Sequence, residues 1–214
     1  MKRRELFAGL LAVPAMPIVA MARPEALTTR KAVFEEVGED VRMTIDLPSL
    51  IRSRDTDALK SIDSSFDTTL RYSMRVWEYG TREMVTSRVV VVKIRRDPWK
   101  KRYVVSRRGE SGWTKRFFEK RDAAVTAATS LARQKIASVG QLERSEEGGP
   151  YYFVELLALR NPIDDPADKD ARAQGRGGGR DLEWFSRLVD TLAGERARAE
   201  KVVHIRTNPF YLVP

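Results

Sequence analysis

The chain contains no cysteine and a single histidine, His204, among its 214 residues. Without thiols there are no disulfides, iron–sulfur clusters, zinc–thiolate sites or cysteine nucleophiles. One histidine likewise excludes a multi-histidine metal centre. Long apolar runs are scarce: only residues 6–19 approach one, and Pro14 and Pro17 interrupt it. That stretch is shorter than the about 20 residues a transmembrane helix needs. No repeat of fixed period appears. What is present is ordinary globular material, 42% hydrophobic and 32% charged. A chain of this length is most simply one domain, able to bury roughly 70% of its unfolded surface without a covalent or metal staple.

Residues 1–22 read as an address rather than as structure. Lys2, Arg3 and Arg4 precede the apolar stretch, and Ala20-Met21-Ala22 supplies the small residues of a cleavage site. A signal peptide cleaved after Ala22 would leave residues 23–214 as a single exported domain. Arg3-Arg4-Glu5-Leu6-Phe7 resembles a twin-arginine signal, with Lys2 where Ser or Thr is usual, so both that route and general secretion stay open. Without a cysteine there is no lipoprotein anchor.

Period-two patterning dominates the rest. Val41, Met43 and Ile45 alternate with polar neighbours, and Phe66, Leu70, Tyr72, Met74 and Val76 share one side of a longer strand over residues 66–76. Residues 88–95 are apolar on both faces at their centre, as in a strand covered on both sides. Asp97-Pro98 turns the chain into a strand over 102–106, and a second turn at 108–112 leads to another over 113–118. Residues 49–62 fit a short helix or an irregular crossover. Ala124, Ala128, Leu131, Ala132, Ile136 and Val139 recur at helical spacing, predicting a helix over 122–139 stopped by Gly140. Residues 151–159 read as a strand. Residues 161–180, acidic and then glycine-rich, read as a mobile loop too poor in bulky apolar side chains to order itself. Leu182, Phe185, Leu188, Val189 and Leu192 predict a second helix, and 202–205 with 210–213 a closing pair of strands. The expected architecture is α+β: a mostly antiparallel, β-sandwich-like sheet with two packed amphipathic helices.

No catalytic constellation emerges. Ser111 lacks the glycine spacing of a nucleophile elbow. His204, between Val203 and Ile205, reads as a strand histidine without a visible partner. Residues 175–179 are not followed by the Gly-Lys-Ser/Thr of a phosphate loop, and Pro166 and Arg172 break any calcium loop built on Asp164, Asp165, Asp168 and Asp170. No metal or cofactor is called for. Carboxylate pairs, which need only meet in space, are invisible to a sequence and keep a periplasmic hydrolase as the alternative function.

Charge is the regional anomaly. Residues 93–116 hold ten cations against Asp97 and Glu110, a local net of +8 in a chain whose total is +9. Lys93, Arg95, Lys100, Lys101, Arg102, Arg107, Arg108, Lys115 and Arg116, with Trp99 at the turn, are the candidate anion-surface residues. Period two puts Lys93 and Arg95 opposite Ile94, and Arg102 and Val104 opposite Tyr103 and Val105. Cations beside aromatics suit a phosphate-bearing lipid interface. The structural alternative is a solvated sheet edge blunted by Lys and Arg, with Trp99 and Tyr103 packed inward.

The run Asp97-Pro98-Trp99-Lys100-Lys101-Arg102-Tyr103-Val104-Val105, between a long strand and an alanine-rich helix, resembles a family of uncharacterised exported proteobacterial proteins. The resemblance spans residues 41–159 and implies a signal peptide and a β-rich domain; it carries over no functional residue. Together these readings predict a non-enzymatic protein of the periplasm or envelope. Its expected partners are anionic lipid or lipopolysaccharide, or an unidentified envelope protein, and no nucleic acid.

Overall fold

The structure, a computed structural model, describes residues 27–81, 83–109, 112–144, 149–162 and 199–214. Three short elements come first: β1 (Thr28–Arg30), β2 (Val33–Val37) and β3 (Asp40–Asp46). Helix α1 (Thr56–Asp63) leads to β4 (Thr68–Glu78), β5 (Met84–Asp97), β6 (Arg102–Gly109) and β7 (Gly112–Phe118). Helix α2 (Arg121–Thr129), β8 (Ser130–Ser138), β9 (Tyr152–Pro162) and β10 (Ala199–Thr207) complete it. Seven strands form one sheet in the order β1-β10-β9-β4-β5-β6-β7, and β2-β3-β8 form a smaller one. Every pairing is antiparallel except β1 with β10. This is the α+β, sandwich-like architecture expected from the pattern.

Alternation on β4 explains the large sheet. Leu70, Tyr72, Met74 and Val76 are buried on its inner face, in register with Val92 and Val90 of β5 and with Ala158, Leu156 and Val154 of β9. Against them pack Val41, Met43, Ile45, Leu131 and Ile136 of the small sheet, Ala58 and Ile62 of α1, and Ala124 and Ala128 of α2. Each large aliphatic side chain removed from water in this cluster contributes about 1.5–3 kcal/mol. The Tyr72 hydroxyl, deep in the core, donates to the Ala128 carbonyl at 2.7 Å and so serves the C-terminal turn of α2.

Several expectations change. The helix predicted over 122–139 ends at Thr129, and the chain passes directly into β8. Two register shifts against β3 are the cause. Leu131 lies opposite Ile45 and Gln134 opposite Met43, so Arg133 bulges out at φ 49° with its N–H on Thr44 Oγ1 (3.0 Å). Bulged residues let Leu131 and Ile136 face the same core although five apart, an odd spacing that hides the strand's period of two. Phe66, read as core-facing, precedes β4 and is 73% exposed. Only alternate β5 residues, Val90, Val92 and Ile94, are buried; Val89 and Val91 are half-buried on the outer face. The segment 49–62 resolves into α1, capped by Asp55, whose Oδ1 accepts from Ala58 N (3.3 Å). Residues 210–213 form no strand; Phe210 and Leu212 make isolated bridges to Tyr152 and Arg144, and β10 pairs with β9 instead. Of the expected loop 161–180, Asn161 and Pro162 finish β9; its remainder and the helix expected from 181 lie outside the described residues, as does the leader.

Candidate functional site

The basic segment is a hairpin. Strand β5 leaves the sheet at Asp97 and β6 returns from Arg102. Asp97 Oδ1 accepts from the backbone N–H groups of Trp99 and Lys100, both at 3.1 Å, which folds the turn over Pro98. The acid thereby builds the turn, and the cations are left at its tip. Trp99 is 92% exposed there, not packed inward. Among the described residues neither Lys100 nor Lys101 has an ion-pair partner within 4 Å.

Register then sorts the remaining candidates by face. Lys93 lies level with Ser106 and Lys115, Arg95 with Val104 and Phe117, and Val91 with Arg108 and Trp113. Ile94 and Val105 are buried on the opposite side. The outer face of the hairpin therefore collects Lys93, Arg95, Arg102, Arg108 and Lys115. Asp67 is shared between Lys93 Nζ and Arg95 Nε, each 3.7 Å away. Arg102 lies flat over the Phe117 ring at 3.8 Å, and Lys93 stands 5.7 Å from the Trp113 ring. Such contacts hold the cations without cancelling their charge.

Arg107 and Arg116 belong to the other face. Arg107 Nη2 donates to the carbonyls of Ser130 (2.7 Å) and Ala127 (3.4 Å), closing the C-terminal end of α2. Burial lowers its pKa from the ordinary arginine value. This side chain is a structural brace, and it is removed from the candidate surface. Arg116 stands over Phe118 at 5.3 Å, exposed at the sheet edge. Tyr103 does face inward, its hydroxyl donating to Asp63 Oδ1 (2.8 Å) beside Arg121 (2.8 Å from Oδ2).

A second polar group was not legible in the sequence. His204 of β10 meets Glu155 of β9 at 2.7 Å, and the other carboxylate oxygen accepts from Trp77 Nε1 of β4 at 2.9 Å. The His204 hydrogen bond, against the opposing effect of burial, holds the Glu155 carboxyl below its ordinary range. The signal was there: Glu155 is the one charged residue in the apolar run from 151 to 159. Among the described residues no hydroxyl hydrogen-bonds to His204. The carboxylates of Asp40, Asp55 and Glu155 are all held below the usual range, chiefly by hydrogen bonds from Lys135, Arg160 and His204 respectively, the reverse of a general acid. A hollow of about 550 Å³ beside β2 and β3 includes Arg30, Lys31 and Asp46 in its wall, with no second carboxylate. Among the described residues no three His, Asp or Glu side chains gather closely enough to share a metal ion, and no helix is long and apolar enough to cross a membrane. The acids at 164–170 lie outside the described residues.

No family model, curated protein sequence or solved structure matches this chain, so the role of the hairpin is argued from its own geometry.

Proposed function

We propose that this is an exported protein of the bacterial envelope with a non-enzymatic role, adsorbing to anionic lipid surfaces through the β5–β6 hairpin. The observation that carries the reading is the tip itself. Lys100 and Lys101 are exposed, have no ion-pair partner among the described residues, and continue into the cations of the outer face. The one acid of the hairpin, Asp97, is committed to the turn backbone. Each Lys or Arg near an anionic membrane contributes about 1 kcal/mol, so four or five give binding that is weak singly and measurable together. Screening acts over a Debye length of about 8 Å at physiological salt, so adsorption falls as salt rises.

The test compares the full chain with its Lys100→Glu/Lys101→Glu variant on phosphatidylglycerol and phosphatidylcholine vesicles. Both proteins carry the same leader, so any adsorption through residues 1–22 cancels. Wild type should sediment with the anionic vesicles at low salt, and the variant at least tenfold less. Equal sedimentation of the two would return the hairpin to the role of a solvated sheet edge. In bacterial cells the reading expects a shortened protein starting at Arg23 in the periplasmic or envelope fraction; a full-length cytosolic protein would sink the export half of it.

A further inference from the structure

We infer that the bilayer is met end-on: the tip of the β5–β6 hairpin enters the lipid interface through Trp99, with the strands standing away from the surface. The inference rests on the anionic-surface reading above and adds an orientation and an apolar anchor to it. Three large aromatic side chains project from one end of the seven-stranded sheet: Trp99 at 92% exposure, Phe66 at 73% and Phe117 at 51%. Register places them together. Strand β4 begins with Thr68 opposite Ile94, so Phe66 just before it lies at the end where β5 runs out into the tip. Phe117 pairs with Val104, near the start of the returning strand β6.

Exposed apolar surface of this size, gathered at one end, is what an interaction site presents. Its surroundings specify a lipid interface. Tryptophan is favoured at membrane–water interfaces, where the ring lies among headgroups. Cations flank two of the rings: Lys100 and Lys101 follow Trp99, Arg102 covers Phe117, and Arg96 precedes the turn. Two of the acids at this end are tied to neighbours, Asp67 to Lys93 and Arg95, and Asp63 to Tyr103 and Arg121. Glu119 and Asp122 are exposed nearby, Asp122 at 3.9 Å from Arg121 Nε, and both are outnumbered by Arg96, Lys100, Lys101 and Lys120. Stable surface anchoring takes two signals, an apolar one and a basic one, and this end of the sheet carries both.

The competing geometry is face-on adsorption, with the outer cations of Lys93, Arg108 and Lys115 laid flat on the headgroups. Trp113 separates the two. It shares the outer face, but lies four residues from Phe117 along β7, about 13 Å from the tip end of that strand. End-on contact wets Trp99 with lipid and leaves Trp113 in water; face-on contact treats both alike.

The experiment is tryptophan quenching of the full chain by vesicles of brominated phosphatidylglycerol, with Trp99→Phe and Trp113→Phe variants. Residues 1–22 contain no tryptophan, so the leader contributes no signal. Quenching should be largely lost in Trp99→Phe and unchanged in Trp113→Phe. Trp99→Ala should weaken vesicle affinity about tenfold, the low end of what burying a large apolar side chain gives. Vesicle binding with Trp113 quenched as strongly as Trp99 would overturn the end-on orientation while leaving electrostatic adsorption standing. Binding by wild type no stronger than by Lys100→Glu/Lys101→Glu would overturn adsorption, and the orientation with it.

Discussion

Arg160 is the one buried cation of β9, and removing its partner should be among the costliest polar changes in the molecule. Its guanidinium reaches from the inner face of the large sheet to the segment before α1, where Nη1 donates to the Leu50 carbonyl at 3.0 Å and to Asp55 Oδ2. Asp55 in turn uses Oδ1 to cap α1 through Ala58 N. One carboxylate thus fastens a helix start to a sheet. Asp55→Ala removes the cap, worth about 1 kcal/mol. It also strands Arg160, whose side chain is only 8% exposed. Breaking a buried ion pair costs about 3–5 kcal/mol when nothing compensates. Here Glu200 Oε2, 3.3 Å from Nε, keeps part of the charge company, and Asp55 is itself 27% exposed, so about 2–3 kcal/mol is the better figure for this pair. The sum for Asp55→Ala is about 3–4 kcal/mol, a fall in Tm on the order of 10 °C for a domain of this size. Asp55→Asn keeps a capping oxygen and should cost about 1 kcal/mol less. Arg160→Met in the Asp55→Asn background should recover stability, because it removes the stranded charge. Urea denaturation followed by far-UV circular dichroism measures all three. A loss below about 1 kcal/mol for Asp55→Ala, or no recovery in the double variant, would refute the reasoning.

Other outcomes follow from contacts of the same kind. Tyr72→Phe leaves the Ala128 carbonyl without its buried donor and should cost about 1–2 kcal/mol by chemical denaturation, with an unchanged fold. Gly112→Ala places a side chain at φ 103°, where no neighbour lies within 4 Å, so its expected loss of about 1–3 kcal/mol is wholly backbone strain; thermal melts no different from wild type would contradict it. Acid should unfold the protein partly through Glu155 and Asp55. Both are held below ordinary carboxylate values when folded, so their stabilisation is complete above the unfolded value near about 4.3 or 3.9 and is lost as pH falls through the folded one. Replacing His204 by Gln removes the main cause for Glu155 and should move the acid midpoint upward, read by circular dichroism between pH 2 and 6.

Alternation carried most of the fold. Strand β4 and the two faces of the hairpin were legible because one side of each is buried and a one-residue slip would expose it. Strand β8 was not, since its bulges break period two and put its core residues an odd number of positions apart. Strand β1, with three residues, and β2, with two glutamates among five, are too short and polar to announce themselves. At the candidate site, the sequence placed the cations on a hairpin and, through alternation, assigned faces for several of them. It could not see that Arg107 would be drawn to the end of α2, because its acceptors lie 20 and 23 residues away. Nor could it see Glu155 beside His204, a pairing set by the register of β9 with β10 across 49 residues. Trp99 was readable from the sequence either as a surface residue of the turn or as one packed inward, and at 92% exposure the structure decides for the surface.

Pairing of β1 with β10 brings residues 28–30 alongside residues 205–207. The earliest described strand therefore has no partner until nearly the last one exists. During synthesis the hairpins β4–β5, β5–β6 and β6–β7 are local and can form as they appear, but one edge of β9 stays open and the first strand stays unclaimed. An open edge over β9, whose residues 156–160 are all buried in the finished sheet, is an aggregation risk for as long as it lasts. Folding is thus coupled to the synthesis of β10, and a nascent or truncated form ending before residue 199 should be held by chaperones or degraded rather than accumulate.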